Sequence, residues 1–422
     1  MNLNDPEGSA PKKAAGRFFK IFTLGCKVNQ YDTQAIRERL LEAGWREAAG
    51  RRKADTYIVN TCTVTQKADR DSLYYIHRCT RENKRARIVV TGCMSETGDR
   101  QLKEQPGVVL VVKNRDKPAL VSRILKDCDA APARGISFFE GHTRAFLKIQ
   151  DGCNNFCSYC KVPLVRGVSR SKQPERILEE ARQLVDNGYR EIVLTGICLG
   201  SYGSDLKPAR SLVSVIDDLE KMEGIWRIRM SSIEAKEVSE GLIERMSRSK
   251  KLCPHIHIPI QSGDNDILRS MRRKYTTQDY IRLVAKLKRA CPGVALTTDV
   301  LIGFPGEQEL HFRNTMDLVE KIVPLRTHIF PFSPRLGTRA YDLKGRPPVD
   351  VVKNRFDRIQ RVAAACTASY QKRFLSRVMP VLIESRVKGR TDTWEGYTEN
   401  YLKVMCVSSR ASRNRLIPLR LK

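Results

Sequence analysis

Three closely spaced cysteines are the strongest chemical signal in the chain. Cys153, Cys157 and Cys160 form a CxxxCxxC pattern, so that one loop can place three thiolates around a single centre. A structural zinc site usually takes four protein ligands, whereas a 4Fe-4S cluster held by three cysteines leaves one iron open for a substrate or cofactor. The pattern therefore predicts an iron–sulfur cluster with an open iron, and zinc with a remote fourth ligand is the alternative.

Three further cysteines share a position relative to predicted strands. Cys26, Cys62 and Cys93 each follow an apolar run rich in β-branched residues, and they are separated by 36 and 31 residues. The predicted strands are 20–24, 56–60 and 87–91. Because ligand crevices in open α/β sheets form at the carboxyl ends of the strands, we expect these cysteines to converge. The alternative is three buried cysteines in an apolar core.

The elements that must position these cysteines fall into two α/β blocks after a polar tail, residues 1–17. Helical patterns alternate with the first strands and predict an open α/β sheet domain over residues 18–138. Six strand-like runs alternating with helices predict a partial (β/α)6 barrel over residues 139–370, more open than an eight-fold one. The Cys153 loop follows the first strand of this barrel. His255 and His257 face the same side of a later strand, where they line the barrel mouth or serve as a structural pair.

The C-terminal segment, residues 371–422, has a different pattern. Short strand-like runs at 379–385, 396–400 and 401–407 predict a small β-barrel, and the weak pattern after residue 408 leaves its closure open. Twelve Lys and Arg against four Asp and Glu give this segment a charge of +8. This favours an RNA-binding appendage as much as a solvated basic face.

Composition narrows the partner class and the compartment. The 422 residues hold 76 Lys and Arg against 47 Asp and Glu, a net charge of +29, which favours RNA, DNA or an anionic membrane surface as partner. The apolar runs are far shorter than the roughly 20 residues of a membrane span. Thirteen cysteines, an odd number, argue against a disulfide framework and for the cytoplasm. Outside the two triads, seven cysteines are predicted to be core or incidental: Cys79, Cys128, Cys198, Cys253, Cys291, Cys366 and Cys406.

The Cys153 motif, after the first strand of a partial barrel, resembles the radical S-adenosylmethionine enzymes. In that superfamily the open iron chelates S-adenosylmethionine, and one electron cleaves it to methionine and a 5'-deoxyadenosyl radical. The resemblance implies that Tyr159 lies near the adenine and that Thr195 and Gly196 meet the methionine amino group. Ordinary loop packing and an ordinary turn are the alternatives for these residues. Cys198 stands where similar proteins usually have Asn or His, which leaves its role open.

The order of further motifs is similar to that of the methylthiotransferases. The matching segments are Thr23–Gln30, Asn60–Thr65, Thr91–Cys93, Ile258–Gly263, Gly303–Glu307 and Gly396–Tyr401, the last of them resembling a TRAM barrel. The family implies a second, auxiliary 4Fe-4S cluster at Cys26, Cys62 and Cys93. It also implies two uses of S-adenosylmethionine, one to methylate a sulfur on the auxiliary cluster and one to generate the radical.

Finer features point to a branch of this family and to its partners. Lys27–Gln30 and Thr63–Thr65 resemble the bacterial enzymes that add a methylthio group to carbon 2 of N6-threonylcarbamoyladenosine at tRNA position 37. Isopentenyladenosine in tRNA, or an aspartate of a ribosomal protein, is the alternative substrate, and a zinc-stabilised, non-catalytic RNA-binding protein is the alternative of another class. The resemblance implies a tRNA anticodon loop, a reducing partner such as flavodoxin or ferredoxin, and a monomer. Arg166 and Arg170 are candidates to contact RNA phosphate or the cofactor carboxylate, unless they serve surface solubility.

Overall fold

A computed structural model describes residues 17–125, 135–408 and 412–422. Most of the predicted N-terminal tail and Cys128 lie outside these residues. The described chain divides into two compact units, one built mainly from residues up to 125 and the other from residues 135 onward. None of the described helices has both the length and the apolar composition needed to cross a membrane.

The first unit is an open sheet of five parallel strands flanked by helices. Its elements in chain order are β1 (Phe18–Thr23), α1 (Lys27–Glu42), β2 (Arg46–Glu47), β3 (Thr56–Thr61), α2 (Gln66–Glu82), β4 (Arg87–Gly92), α3 (Asp99–Lys103), β5 (Val108–Val111) and α4 (Leu120–Leu125). The strand order is β2-β1-β3-β4-β5, and every pairing is parallel. Every residue of β3 is buried, since apolar clusters cover both faces of the sheet. The predicted open α/β sheet is confirmed, with β2 and β5 added at its edges.

The second unit begins with a partial barrel. Its elements are β6 (Arg144–Lys148), β7 (Gln150–Asp151), α5 (Val162–Arg166), β8 (Arg170–Ser171), α6 (Pro174–Asp186), β9 (Glu191–Thr195), α7 (Leu212–Glu220), β10 (Arg227–Met230), α8 (Glu240–Arg248), β11 (His255–His257), α9 (Asn265–Ser270), α10 (Thr277–Ala290), β12 (Ala295–Ile302), α11 (Glu309–Ile322), β13 (Arg326–Pro331) and α12 (Val349–Lys372). Two parallel ladders, β6-β9-β10 and β11-β12-β13, hold six of these strands. Parallel bridges from Ile228 to Leu252 and from Ser232 to His257 join the two ladders. The six strands therefore form the predicted partial (β/α)6 barrel.

A four-stranded antiparallel sheet follows the barrel in the same unit. Its strands are β14 (Val378–Arg386), β15 (Thr393–Thr398), β16 (Lys403–Val407) and β17 (Leu416–Arg420). The order is β16-β15-β14-β17, and no ladder among the described residues closes it. The β17 strand comes from the segment whose pattern was weak. The predicted strand at 396–400 is wrong in its bounds, because Gly396 lies inside β15. A Cβ there would lie 2.2 Å from the Leu382 carbonyl oxygen.

A buried ionic cluster connects the barrel to this sheet. Arg229 Nε lies 2.6 Å from Glu191 Oε1, and neither side chain is exposed by more than 2%. Arg227 and Arg144 approach the same carboxylate at 3.6 and 3.9 Å. The remaining guanidinium N–H groups of Arg227 and Arg229 donate to backbone carbonyls of the sheet: those of Pro380, Tyr397, Thr398 and Glu399. Hydrogen bonds from these two buried arginines therefore hold the sheet against the barrel.

Candidate functional site

The CxxxCxxC loop is closed at its base by a two-stranded ladder. The β7 and β8 strands pair antiparallel, with Asp151 opposite Arg170. The loop of residues 152–169 therefore begins and ends at the same ladder. The Cys153 N–H donates to the Gly167 carbonyl at 3.1 Å. Gly152 has φ +74°, and a Cβ there would lie 2.0 Å from the Val168 carbonyl oxygen. Only glycine fits this crossing, which fixes the start of the cysteine loop.

The second half of the loop is held by the barrel. Ser158 donates through its N–H to the Met271 carbonyl at 3.0 Å and through its hydroxyl to the Ser270 carbonyl at 2.8 Å. The Cys160 N–H donates to the Cys157 carbonyl at 3.0 Å, which forms a tight turn between the last two cysteines. Cys157 and Cys160 are thus placed by contacts to residues over 100 positions away in sequence.

The spread of the cysteine sulfurs distinguishes the two predicted kinds of metal site. A tetrahedral zinc ion with bonds of about 2.3 Å holds its sulfurs roughly 3.8 Å apart. Among the described residues, no three cysteine sulfurs all lie within 4.8 Å of one another. As placed, neither triad gathers its three sulfurs closely enough for a mononuclear zinc ion, whereas cysteine thiols are the ligands that hold a 4Fe-4S cluster.

The three thiols of the loop differ in acidity. The hydrogen-bonding contact with Cys198 lowers the pKa of Cys153 from its ordinary value. Burial raises the pKa of Cys157 and raises that of Cys160 to about 12. These last two thiols need a bound metal to become thiolates at neutral pH, since coordination deprotonates a thiol outright.

An ion pair lies beside the loop in a small cavity. Arg273 Nη1 is 3.1 Å from Glu234 Oε1, and Nη2 contacts the other carboxylate oxygen. The same Nη1 lies 3.4 Å from Cys157 Sγ, and these three residues line the cavity together with Asn155 and Tyr275. A buried guanidinium and a carboxylate beside Cys157 would suit a zwitterionic ligand such as the methionine part of S-adenosylmethionine.

Sequence reasoning missed both members of this pair. Glu234 and Arg273 are 39 residues apart, and Arg273 belongs to a basic run, 272–274, that is typical of an exposed surface. Its side chain is in fact only 3% exposed. No local signal separates it from its neighbour Arg272, which is exposed.

The remaining predicted cofactor residues lie next to the loop. Tyr159 packs against an apolar cluster that includes Met271 and Phe304, and its hydroxyl is 3.5 Å from Arg273 Nη1. Thr195 is buried, and its hydroxyl donates to the Val193 carbonyl of its own strand. Gly196 approaches Gln150 so closely that a Cβ would lie 2.9 Å from Gln150 Oε1. Contact of these three residues with S-adenosylmethionine stays a prediction.

The two predicted RNA-contacting arginines differ in exposure. Arg166 is buried and binds Asp151 Oδ1 and Oδ2 at 2.9 and 3.1 Å. Its guanidinium is held inside the base of the loop by this ion pair, and its contact with RNA phosphate or with the cofactor carboxylate stays a prediction. Arg170 is exposed on β8, so RNA contact remains a prediction for this residue.

Cys198 is part of the site rather than an incidental core residue. Its Sγ lies 2.9 Å from Glu237 Oε1 and accepts a hydrogen bond from Asn155 Nδ2 at 3.2 Å. It also contacts Cys153. Of the other cysteines outside the triads, Cys79, Cys253 and Cys366 are buried and Cys291 and Cys406 are partly buried.

The auxiliary triad lies at the carboxyl ends of three adjacent strands, as predicted. Cys62 and Cys93 directly follow Thr61 and Gly92, which are paired across β3 and β4. Cys26 follows Gly25, where a Cβ would lie 2.8 Å from Cys62 Sγ at φ +89°. The backbone before the first cysteine therefore touches the sulfur of the second, and only glycine permits this approach.

A buried polar network lies next to the strand ends that carry the auxiliary triad. Asn29 Nδ2 donates to the Thr61 carbonyl at 2.9 Å, and Asn60 Nδ2 donates to the Asn29 carbonyl at 2.9 Å. Lys117 Nζ lies 2.9 Å from Asp32 Oδ2, and both side chains are almost fully buried. Such a satisfied network fixes the strand ends on which the cysteines sit.

Comparison with known proteins agrees with this geometry. Residues 147–319 match the family model of the Radical SAM superfamily, and residues 18–113 match Uncharacterized protein family UPF0004. Over 402 residues the chain is 40% identical to the Threonylcarbamoyladenosine tRNA methylthiotransferase MtaB of Bacillus subtilis, covering 91% of this chain and 89% of that protein. The chain belongs to the methylthiotransferase family.

Other relatives and one solved structure extend the comparison. The methylthiotransferase is 38% identical to the protein of the same description from Thermotoga maritima, over 93% of this chain and 92% of that one. It is 33% identical to the tRNA-2-methylthio-N(6)-dimethylallyladenosine synthase of Moorella thermoacetica, over 96% of each. The radical S-adenosylmethionine methyltransferase TsrM of Kitasatospora setae shares the fold at 14% identity, with a TM-score of 0.56 over 75% of this chain and 73% of that one.

The cofactors of this family are S-adenosylmethionine and two 4Fe-4S clusters. The residues of the methylthiotransferase fit the two clusters by their donor set, because each triad supplies three free cysteine thiols. Cys153, Cys157 and Cys160 would hold the cluster that binds S-adenosylmethionine, and Cys26, Cys62 and Cys93 would hold the auxiliary one.

Proposed function

We propose that this methylthiotransferase adds a methylthio group to carbon 2 of N6-threonylcarbamoyladenosine at position 37 of tRNA. The observation that carries the proposal is the presence of two separate cysteine triads in a chain aligned over most of its length with proteins named for this substrate. One triad suits radical formation and the other suits a sulfur carrier. A mononuclear, zinc-stabilised RNA-binding protein would need neither.

The reaction explains why the site is built as it is. The hydrogen on carbon 2 of adenine is not acidic, so proton transfer to a side chain cannot remove it, and the hard step belongs to a cofactor. When bound, the Cys153–Cys160 cluster and S-adenosylmethionine supply a carbon radical that can abstract this hydrogen.

The residues of the chain bind and orient around that chemistry. Arg273 and Glu234 present opposite charges next to Cys157, and they would bind the amino-acid end of S-adenosylmethionine. Partly buried Tyr159 packs against an apolar cluster and would limit the access of water to the inner side of the loop. Exclusion of water protects a radical from side reactions.

Binding of tRNA is supported by charge. The chain has a net charge of +29, and the β14–β15 turn exposes Arg386, Lys388 and Arg390. Each phosphate contact contributes a slope of about −0.7 to −0.9 to the dependence of log affinity on log salt. Replacing these three residues by Ala is expected to weaken binding of the tRNA and to flatten the slope by about two. An unchanged slope would remove the C-terminal sheet from the interface.

We also propose the electron donor, the oligomeric state and the compartment of this enzyme. The electron that starts it comes from a small reductant such as flavodoxin or ferredoxin, and the protein acts as a monomer in the cytoplasm. The thirteen cysteines, an odd number, argue against a disulfide framework and thereby support a reducing compartment.

Analysis of tRNA nucleosides tests the function. A strain lacking the gene should lose the methylthio form of N6-threonylcarbamoyladenosine by mass spectrometry, and the wild-type protein should restore it. Cys157→Ala should fail to restore it, whereas Cys291→Ala, a cysteine outside both triads, should succeed. Loss of the methylthio form of isopentenyladenosine alone would assign the protein to the other tRNA branch and refute the proposal.

A further inference from the structure

Two histidines and one aspartate, none of them part of a cysteine triad, come together on neighbouring strands of the barrel. His257 lies on β11, Asp299 on β12 and His328 on β13, with Asp299 directly opposite His328 in the ladder. His257 Nε2 is 3.3 Å from Asp299 Oδ2, and His328 Nδ1 is 3.0 Å from Asp299 Oδ1. One ligand atom from each residue lies within 4.8 Å of the other two.

A neighbouring hydroxyl orients the first histidine. His257 Nδ1 lies 2.9 Å from Thr297 Oγ1, on the same face of β12 as Asp299. This hydrogen bond leaves Nε2 facing the carboxylate. Histidines that ligate metals usually donate their other ring N–H to such a partner, which fixes the tautomer and the ring orientation.

The charge and exposure of the group suit a cation. The Asp299 carboxylate is partly buried, and each of its two oxygens faces a ring nitrogen of one histidine. Two imidazoles and one carboxylate match the preferences of divalent first-row transition metals. The His328 side chain is 44% exposed, so an ion can enter from solvent.

We propose that His257, Asp299 and His328 form a site for a divalent first-row transition-metal ion, distinct from the iron–sulfur clusters. Three protein ligands leave coordination positions open for water or another oxygen ligand. The site does not depend on the proposed function, because its ligands belong to neither cysteine triad.

A second group of similar composition provides a matched comparison. Asp264, Asp266 and His311 also place ligand atoms within 4.8 Å of one another. However, Asp264 already accepts hydrogen bonds from two backbone N–H groups at the start of α9 and from Asn314 Nδ2. These partners of Asp264 are N–H groups that cannot ligate a metal, whereas the partners of Asp299 are imidazoles that can. This second group is therefore not the proposed metal site.

Direct metal binding to the reconstituted full-length protein tests the site. After treatment with a chelator, the protein is titrated with Mn²⁺, and the free ion is followed by its room-temperature EPR signal. Zn²⁺ is measured in parallel by competition with a chromophoric chelator. One ion per chain is expected, with affinity reduced at least about tenfold in His328→Ala and Asp299→Asn. Spin-echo spectra of bound Mn²⁺ should show nitrogen coupling that His328→Ala reduces.

Controls separate metal binding from folding. His328 is half-exposed, so its replacement should leave the circular dichroism and the iron content unchanged, and Asp266→Asn should bind the ion as the wild type does. The proposal is overturned if neither Mn²⁺ nor Zn²⁺ binds more tightly to the wild type than to His328→Ala. Loss of binding in Asp266→Asn would overturn it as well, because the ion would then occupy the second group.

Discussion

Removing the charge of Glu191 is expected to destabilise the protein strongly. Its carboxylate is fully buried among Arg229, Arg227 and Arg144, with the nearest contact at 2.6 Å. Glu191→Gln keeps the size of the side chain and one acceptor oxygen but removes the counter-charge of Arg229 and Arg227. Arg144, by contrast, keeps its ion pair with Glu384. Arg227 and Arg229 donate to carbonyls of the C-terminal sheet, so the change should loosen the sheet from the barrel.

The magnitude follows from burial. Removing one partner of a buried ion pair costs about 3–5 kcal/mol, because a buried charge is left uncompensated. The retained acceptor of Gln places Glu191→Gln near the lower end, at about 3 kcal/mol. The matched control is Glu244→Gln, since Glu244 pairs with Arg248 on the surface at 2.8 Å with both side chains more than half exposed. An exposed i,i+4 pair contributes only about 0.3–0.5 kcal/mol.

Urea denaturation, with limited proteolysis of the C-terminal sheet, measures this difference at neutral pH. Burial alone would raise the pKa of Glu191, but Arg229, Arg144 and Arg227 hold it below its ordinary value. The stabilisation is therefore fully present above the pKa of the unfolded chain and is lost as pH falls through the lower, folded value. The gap between wild type and Glu191→Gln should shrink under acid. A gap at neutral pH no larger than that of Glu244→Gln would refute the reasoning.

The other predictions concern the two cluster sites. Reconstituted wild type should hold about eight irons per chain and Cys157→Ala about four, by iron and sulfide quantitation; stoichiometric zinc without iron would contradict both cluster assignments. Gly25→Ala should lose the auxiliary iron while keeping the radical cluster, because its Cβ would lie 2.8 Å from a cysteine sulfur. The control Gly44→Ala also has a positive φ, +80°, but open space around it, and it should keep all the iron. Equal iron loss in both variants would show that backbone strain alone causes the effect. Arg273→Ala should raise the Kd for S-adenosylmethionine at least about tenfold, because a charge-assisted contact is lost. Equilibrium dialysis measures this Kd. An effect no greater than that of Arg269→Ala, at an exposed arginine, would exclude Arg273 from the binding site.

The cysteine sites were predictable because their signals are local. Cys153, Cys157 and Cys160 must share a loop at their spacing, whatever the rest of the fold does. Cys26, Cys62 and Cys93 are distant in sequence, but each follows a buried strand, and parallel strands end at one edge. The strand-and-helix alternation similarly predicted both α/β units, since periodicity depends on which face of an element is buried.

Other features depended on how distant elements meet. Arg166 and Arg273 both belong to basic segments, yet each is buried against a carboxylate that only the folded chain brings near. The β17 strand has a weak pattern of its own and is stabilised by its pairing with β14.

The sequence by itself determined the two cysteine triads and the kind of sheet that bears each of them. Only the tertiary structure decided which charged groups surround the triads and which histidines meet Asp299. The reason is physical: spacing within a loop and periodicity within an element are local constraints. The partner of a buried charge, by contrast, is chosen by the register between strands and by the packing of segments far apart in the chain.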